Sequence, residues 1–218
     1  MSKPRYKAVI FDFDDTLVES RAQKWAQHKH VAKEFYNIDL KEEIILKHWG
    51  KPLPVLVAEL YENSDTIENM MNAAISTRKA FPKKPYKDSA KVVKQLINNG
   101  IQVGILSAAT ARFIKEDLIE FDFPVGKLLT IQGAYETMVH KPDPGVFIPI
   151  FNKLKKEGIS QKDTVYVGDS LDDLQAAKRA GIDFIAVTTG LYSKEDFKKH
   201  EAKVIVKDIR SVIKFLIN

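Results

Sequence analysis

The chain has 218 residues, of which 44% are hydrophobic and 29% are charged, and it carries a net charge of +5. This composition is typical of a folded globular protein and excludes an intrinsically disordered one. Because the sequence contains no cysteine, it excludes disulfide frameworks, zinc–thiolate sites and cysteine nucleophiles, so a bound metal would need oxygen or imidazole ligands.

The first residues and the positive charge bear on location and partners. No apolar stretch reaches the roughly 20 residues that a membrane span needs, and the segment MSKPRYKAVIF lacks the apolar region of a signal peptide. We therefore expect a cytoplasmic protein without membrane association. The lysines are spread along the chain without interleaved aromatic residues, which favours a solvated surface over a nucleic-acid face.

Six short apolar segments predict strands, and helical patterns separate them from residue 86 onward. The segments are 7–11, 101–107, 127–132, 164–169, 184–189 and 203–206. The strongest of them are continuously apolar, which is typical of strands buried on both faces. Strands that alternate with helices predict an α/β fold, a Rossmann-like parallel sheet with helices on both faces.

The stretch from residue 18 to residue 85 differs, because it has no strand signal and its apolar residues recur at helical spacing. The segments TLVES (16–20) and FPKKPYKD (81–88) lack that periodicity and are candidate hinges. We expect one domain formed by residues 1–17 and 86–218, interrupted by a small helical domain of residues 18–85.

Acidic and basic side chains follow several of the predicted strands. In an open parallel sheet, ligands bind beyond the carboxyl ends of the strands. The residues expected at that edge are Asp12, Asp14, Ser107, Lys141, Asp169, Asp172 and Asp173. Crowded carboxylates repel one another unless a cation joins them, and Mg²⁺ prefers oxygen ligands from carboxylates, phosphate and water. The sequence therefore predicts a Mg²⁺ site at which a carboxylate can attack phosphorus and form an aspartyl-phosphate.

Four segments, in order along the chain, carry a family resemblance. DFDDT (12–16) resembles the DxDxT motif of the haloacid dehalogenase-like (HAD) hydrolase superfamily, and ILSAA (105–109) resembles its second motif. KPDPGVF (141–147) is similar to its lysine motif, and GDSLDDLQAAKRAG (168–181) to its GDxxxD motif. The inserted helical domain is similar to the C1 cap of the phosphoglycolate phosphatase-like members.

The resemblance implies roles for the first motif and the lysine. Asp12 is the expected nucleophile and a metal ligand, and Asp14 is the expected general acid/base, with its backbone carbonyl on the metal. Lys141 is expected to pair with Asp12 and the phosphate. Asp14 together with Thr16, a further expected substrate-binding residue, favours phosphate ester hydrolysis over dehalogenation. Asp15 stands where the motif usually has glycine, so we expect it to shape a turn.

The other motifs imply the rest of the site. Ser107 and Ala108 are expected to bind the phosphate. Asp169 is the expected direct metal ligand, and Asp173 is expected to support the metal through water. Asp172 falls one position short of the motif, and a charge at a helix N-terminus accounts for it equally well.

Two weaker signals each have two interpretations. HWGKPLPVL (48–56) resembles the specificity loop of the cap, with Lys51 as the expected contact to an anionic substrate and His48 or Trp49 behind it; the alternative is a plain helix–helix connection. TTGLYSKEDF (188–197) either borders the pocket or is an ordinary connection that ends with Ser193 as a helix N-cap.

The function expected from these residues is a Mg²⁺-dependent phosphatase for a small phosphorylated metabolite. A phosphomutase or phosphotransferase of the same fold stays open, because it would use the same motifs. A phospho-accepting signalling module is disfavoured, because its phosphorylated aspartate ends the third strand instead of the first. Many capped members of the family are monomers, so we expect a monomer and leave a dimer open.

Overall fold

A computed structural model describes residues 4–217 of the chain. These residues form two compact units: one comprises the chain up to Glu19 and from Pro85 onward, and the other comprises Ser20–Lys84. We call them the core domain and the cap. The expected boundaries, after residue 17 and before residue 86, lie within two residues of these.

The core domain is built on a six-stranded sheet. In chain order the strands of the described residues are β1 (Ala8–Phe11), β2 (Val18–Glu19), β3 (Lys84–Pro85), β4 (Gln102–Leu106), β5 (Thr130–Gln132), β6 (Thr164–Gly168), β7 (Asp183–Val187) and β8 (Val204–Val206). The sheet has the order β5-β4-β1-β6-β7-β8, and all its pairings are parallel. β2 and β3 form a separate two-stranded sheet. The predicted α/β fold with a parallel sheet is confirmed.

Helices connect the strands and build the cap. The cap contains α1 (Arg21–Tyr36), α2 (Glu42–His48), α3 (Leu53–Leu60) and α4 (Ile67–Thr77). The core domain contains α5 (Ser89–Asn98), α6 (Ala111–Glu120), α7 (Ile148–Lys156), α8 (Leu171–Ala180), α9 (Lys194–Lys199) and α10 (Ile213–Leu216). Short 3₁₀ turns at Pro144–Phe147 and Ile209–Val212 precede α7 and α10. No helix among residues 4–217 has both the length and the apolarity needed to cross a membrane.

The central strand β1 is buried on both faces of the sheet. Val9 and Phe11 belong to the hydrophobic cluster on one face, while Ala8 and Ile10 belong to the cluster on the other. Both clusters need apolar side chains, because successive residues of a strand point to opposite faces. The two-sided burial explains the continuous apolar sequence and leaves Asp12 as the first charged residue beyond the strand.

The cap has a hydrophobic core of its own, in which one titratable pair is buried. Tyr61 is fully buried, and its hydroxyl lies 2.7 Å from His28 Nδ1. Tyr36 stacks on Tyr61 with ring centroids 5.2 Å apart. Burial, with a smaller contribution from the nearby charge of Lys24, lowers the pKa of His28 to about 3. The imidazole is therefore neutral in the folded cap at pH 7.

We predict that the stability of the cap depends on pH through His28. The pKa of His28 is about 3 in the folded cap and about 6.5 in an unfolded chain. The unfolded state therefore binds more protons between these values, so stability is complete above pH 6.5 and falls by about 1.4 kcal/mol per pH unit as the pH drops toward 3. Both tryptophans of the chain lie in the cap, so urea unfolding followed by their fluorescence reports on this unit.

The matched variant is His28→Gln, which keeps a polar partner for Tyr61 but does not titrate. Its cap is expected to have a shallower loss of stability between pH 6.5 and 4 than the wild type. Equal pH slopes for the two proteins would show that His28 does not contribute.

Candidate active site

The acidic loop after β1 is held by backbone geometry. The amide of Asp12 donates to the carbonyl of Val167 at 2.8 Å, which fixes the loop against β6. Asp15 has a φ of +54°, in the left-handed region, and its amide donates to the carbonyl of Val18 at 2.7 Å. Aspartate tolerates this region better than most residues, so the turn expected at Asp15 forms without glycine.

A buried lysine joins two of the carboxylates. The ammonium of Lys141 lies 2.8 Å from Asp12 Oδ1 and 2.6 Å from Asp173 Oδ1. Tyr166 donates its hydroxyl to the same Asp173 oxygen at 2.7 Å, and that hydroxyl accepts from Lys141 at 3.2 Å. The side chains of Asp12, Lys141 and Asp173 are all nearly excluded from solvent.

Asp169 completes an acidic cluster with Asp12 and Asp173. One carboxylate oxygen of each residue lies within 4.8 Å of the other two. Thr16 donates its hydroxyl to Asp169 Oδ1 at 3.0 Å. A Cβ atom on Gly190 would overlap Asp169 Oδ2, so the connection after β7 packs directly on this carboxylate. Carboxylate oxygens are the donors that Mg²⁺ prefers, and the cluster fits such an ion.

Burial and mutual repulsion shift the pKa values of the clustered charged groups. Burial raises the pKa of Asp12, against the lowering effect of the Lys141 ammonium. Burial and the charge of Asp12 also raise the pKa of Asp169 well above its usual range. Burial alone would lower the pKa of Lys141, but the carboxylates of Asp12 and Asp173 hold it well above its ordinary value. A divalent cation would relieve the remaining repulsion between the carboxylates.

The predicted phosphate-binding residues follow a strand that ends at the same edge of the sheet. Ser107 directly follows β4, which is the neighbour of β1, and its side chain is buried. Its amide donates to the carbonyl of Gln132 at 3.0 Å, and its hydroxyl accepts from the amide of Ala109 at 3.2 Å. Ala108 lies between them and is half-buried.

Three further aspartate and threonine positions have distinct surroundings. Asp14 is half-buried and forms an isolated bridge with Val18. Asp172 lies in the first turn of α8, the position expected for a charge at a helix N-terminus, and burial and the neighbouring charge of Asp173 raise its pKa there. Thr16 is fully buried, and its hydroxyl is bonded to Asp169. The structure therefore gives the Thr16 hydroxyl a carboxylate partner, and its predicted contact with substrate stays a prediction.

Within the cap, Lys51 belongs to a small polar group. Its ammonium lies 3.0 Å from His48 Nδ1 and 3.9 Å from Glu59 Oε1. The Lys51 side chain is 40% exposed, whereas that of His48 is 8% exposed. Trp49 packs edge-on against Trp25 with ring centroids 5.9 Å apart. His48 therefore contacts Lys51, and the role of these residues in substrate binding stays a prediction.

Sequence reasoning missed the side chains and glycine that hold the carboxylates. Tyr166 is the only aromatic residue of the strand TVYVG, and this was the available signal. Gly190 lies in the segment 188–197, for which two interpretations were open, a border of the pocket and a connection that ends in a helix N-cap. Both apply. Thr189 donates its hydroxyl to the carbonyl of Asp15, and Ser193 forms a capping box with Asp196 at the start of α9.

Comparison with known proteins decides the family. Residues 9–187 match the model of the haloacid dehalogenase-like hydrolases, which is more than half of the chain. The chain belongs to this family. The HAD fold is also seen in the crystal structure of a predicted phosphoglycolate phosphatase from Haemophilus somnus 129pt, which has a TM-score of 0.80 and 19% identity and covers 96% of this chain and 97% of that chain.

Relatives of this HAD hydrolase carry phosphatase names. It is 29% identical over 185 residues to a provisionally named pyrophosphatase PpaX of Clostridium perfringens, which covers 80% of each chain. It is 25% identical over 219 residues to a phosphoglycolate phosphatase of Pseudomonas syringae pv. tomato, which covers 95% of this chain and 78% of the relative. The predicted family is confirmed, and these names support the prediction of a phosphoric monoester hydrolase.

We predict that Gly190→Ala weakens binding of a divalent cation at the acidic cluster. The added Cβ would overlap Asp169 Oδ2, so that carboxylate would have to leave its position in the cluster. Calorimetric titration of the metal-free protein with Mg²⁺ is expected to show at least about tenfold weaker binding, in line with losses of supporting contacts in metal sites. Gly126→Ala is the control, because no atom lies within 4 Å of its added Cβ. Unchanged Mg²⁺ affinity in both variants would contradict the prediction.

Proposed function

We propose that this HAD hydrolase is a Mg²⁺-dependent phosphatase that hydrolyses a small phosphorylated metabolite through an aspartyl-phosphate on Asp12. The observation that carries the proposal is the buried contact of the Lys141 ammonium with Asp12 Oδ1 at 2.8 Å, next to the cluster with Asp169 and Asp173. This arrangement supports a nucleophilic carboxylate whose negative charge, and that of an incoming phosphate, is balanced by fixed cations.

The metal would be held by oxygen ligands alone. Asp12 and Asp169 would contribute carboxylate oxygens and Asp14 its backbone carbonyl. Asp173, which we expected to support the metal through water, would support it indirectly, because its oxygens are bonded to Lys141, Tyr166 and Ser170. When bound, Mg²⁺ would neutralise charge that develops on the transferred phosphoryl group. Thr16 would then orient Asp169, because its hydroxyl donates to that carboxylate.

The side chains divide the chemistry into two displacements. Ser107 and the backbone at Ala108 donate hydrogen bonds to the phosphate oxygens, and the positive charge of Lys141 attracts them. A carboxylate oxygen of Asp12 forms a bond to phosphorus while the bond to the leaving oxygen breaks, and Asp14 gives its proton to that oxygen. Asp14 then takes a proton from water, whose oxygen attacks phosphorus and releases inorganic phosphate and free Asp12.

A phosphomutase or phosphotransferase would differ only in the second displacement, where a substrate hydroxyl replaces water. Release of inorganic phosphate in the presence and absence of candidate sugar phosphates separates the two activities. The names of the relatives suggest pyrophosphate and phosphoglycolate as the first compounds of a substrate panel, followed by phosphorylated sugars, nucleotides and amino-acid phosphates. A monomeric, cytoplasmic enzyme that acts on a free metabolite stays our prediction.

We predict that Asp12→Asn abolishes turnover while the fold is kept. The amide is a poor nucleophile and cannot form the acyl phosphate. With Mg²⁺ and an aryl phosphate, kcat is expected to fall by about a thousandfold or more, a scale typical of the loss of a nucleophile. Asp39→Asn, at an exposed cap position, is the control and should retain full activity. Substantial turnover by Asp12→Asn, with the wild type active, would exclude Asp12 as nucleophile.

We predict that Lys51→Ala raises KM for the natural substrate more than it changes hydrolysis of a generic aryl phosphate. A half-exposed ammonium in the cap contributes to recognition of an anionic substrate, and not to the chemistry at Asp12. Steady-state kinetics with the best substrate of the panel and with an aryl phosphate test this, and Lys47→Ala, an exposed lysine of α2, is the control. Equal effects on both substrates would remove Lys51 from substrate recognition.

A further inference from the structure

We propose that Tyr166 is a positioning residue, which holds Lys141 against the nucleophile Asp12 through Asp173. The inference rests on the proposed function and adds a residue to it. The phenol hydroxyl lies 2.7 Å from Asp173 Oδ1 and 3.2 Å from Lys141 Nζ, so it touches both members of the ion pair. Tyr166 would not itself contact the reacting phosphate.

The hydrogen bonds of Asp173 are fully used by the protein. Its Oδ1 accepts from Lys141 and Tyr166, and its Oδ2 accepts from the hydroxyl of Ser170 at 2.6 Å and from the amide of Ser170 at 3.1 Å. A carboxylate has about four lone-pair positions. With all of them occupied, Asp173 acts as an anchor for Lys141, whereas Asp12 and Asp169 are left to face a cation.

Asp173 also has no room to adopt another position. Its side chain is 1% exposed, and a Cβ on Gly168 would lie 2.6 Å from Asp173 Oδ2. The carboxylate therefore packs on bare backbone on one side and is capped by Ser170 on the other. Only the phenol of Tyr166 and the ammonium of Lys141 approach its Oδ1 among the bonds of the described residues.

The ring of Tyr166 is fixed by aromatic packing. It is fully buried in β6, and Phe147 lies edge-on to it with ring centroids 5.1 Å apart. Phe184 approaches it from β7 with ring centroids 6.0 Å apart. Aromatic contacts of this kind favour one ring orientation. The hydroxyl therefore has a fixed position on β6, the strand next to the one that Asp12 follows.

Lys141 needs fixed acceptors to hold its ammonium in one place. Its ammonium sits on a flexible four-carbon stem and carries three N–H donors. Asp12, Asp173 and Tyr166 supply three acceptors. Removal of the phenol would leave one buried N–H without an acceptor and would free Asp173 Oδ1 from its second donor. The ammonium would then spend less time against Asp12, which is the position that the phosphoryl transfer needs.

The test uses Tyr166→Phe in the full-length protein, with Tyr6→Phe as the matched control. Tyr6 is also buried in the core domain, and its hydroxyl donates to a different carboxylate, Asp183, at 2.7 Å. Both variants therefore lose a phenol–carboxylate hydrogen bond. We would measure kcat and KM for an aryl phosphate, the melting temperature, and the calorimetric affinities for Mg²⁺ and for inorganic phosphate with Mg²⁺ present.

For Tyr166→Phe, kcat is expected to fall about ten- to a hundredfold, the scale of a small misplacement of a catalytic group. Phosphate affinity should weaken while Mg²⁺ affinity changes by less than about twofold, because Asp12 and Asp169 are untouched. Tyr6→Phe should lower the melting temperature without changing kcat. In a Lys141→Ala background, Tyr166→Phe should have no further effect on phosphate affinity, as a residue acting through Lys141 requires.

Several outcomes would overturn the inference while the proposed function stands. The first is a Tyr166→Phe variant with the kcat and phosphate affinity of the wild type. The second is a loss of Mg²⁺ affinity as large as the loss of kcat. The third is a Tyr166→Phe effect on phosphate affinity that is as large in the Lys141→Ala background as in the wild type. A wild-type protein that hydrolyses no ester but binds phosphate would overturn the proposed function, and the phosphate titrations would still test Tyr166. A wild type that does neither overturns both.

Discussion

The site depends on one interaction, the buried ammonium of Lys141 held between the carboxylates of Asp12 and Asp173. Three carboxylates lie close together in a region that excludes water, and their mutual repulsion would push them apart or protonate them. Lys141 compensates part of that charge and keeps its own proton in spite of burial. Removal of one partner from a buried ion pair typically lowers the free energy of unfolding by about 3–5 kcal/mol. The ion pair therefore constrains both the chemistry and the fold around it.

Strand order, close backbone packing and a tight turn position these charges in the core domain. β1, β4 and β6 are neighbours in a parallel sheet, so the residues that follow them emerge at one edge. Glycine then lets backbone approach the carboxylates closely, at Gly168 beside Asp173 and at Gly190 beside Asp169. The left-handed turn at Asp15 returns the chain so that Thr16 can bond to Asp169. Each carboxylate is thus fixed by a donor, a close backbone contact, or both.

The cap meets a different physical requirement. It has its own hydrophobic cluster, which includes Val31, Ile45, Leu60 and Met70. A unit with a separate core can differ in sequence without disturbing the sheet that holds the acidic cluster. The proposed function uses this division: the core domain carries the chemistry, and cap side chains such as Lys51 contribute to recognition.

The amino-acid sequence by itself determined the α/β class and the six strands of the main sheet, because burial on both faces leaves a local pattern that can be read without coordinates. Strand-end positions also predicted that Asp12, Lys141 and Asp169 meet at one edge of the sheet, and the structure brings them together. It did not reveal β2 and β3, because each has only two residues, too few for any periodicity.

Only the tertiary structure decided how the charges are partnered. Thr16 and Asp169 are 153 residues apart in sequence, and Lys141 and Asp12 are 129 apart. The hydroxyl of Tyr166 and the bare backbone of Gly190 acquire their importance from neighbours that folding brings to them. Hydrogen bonds and close packing depend on distances of a few ångströms between remote segments, and a linear pattern of residue types contains no such distances.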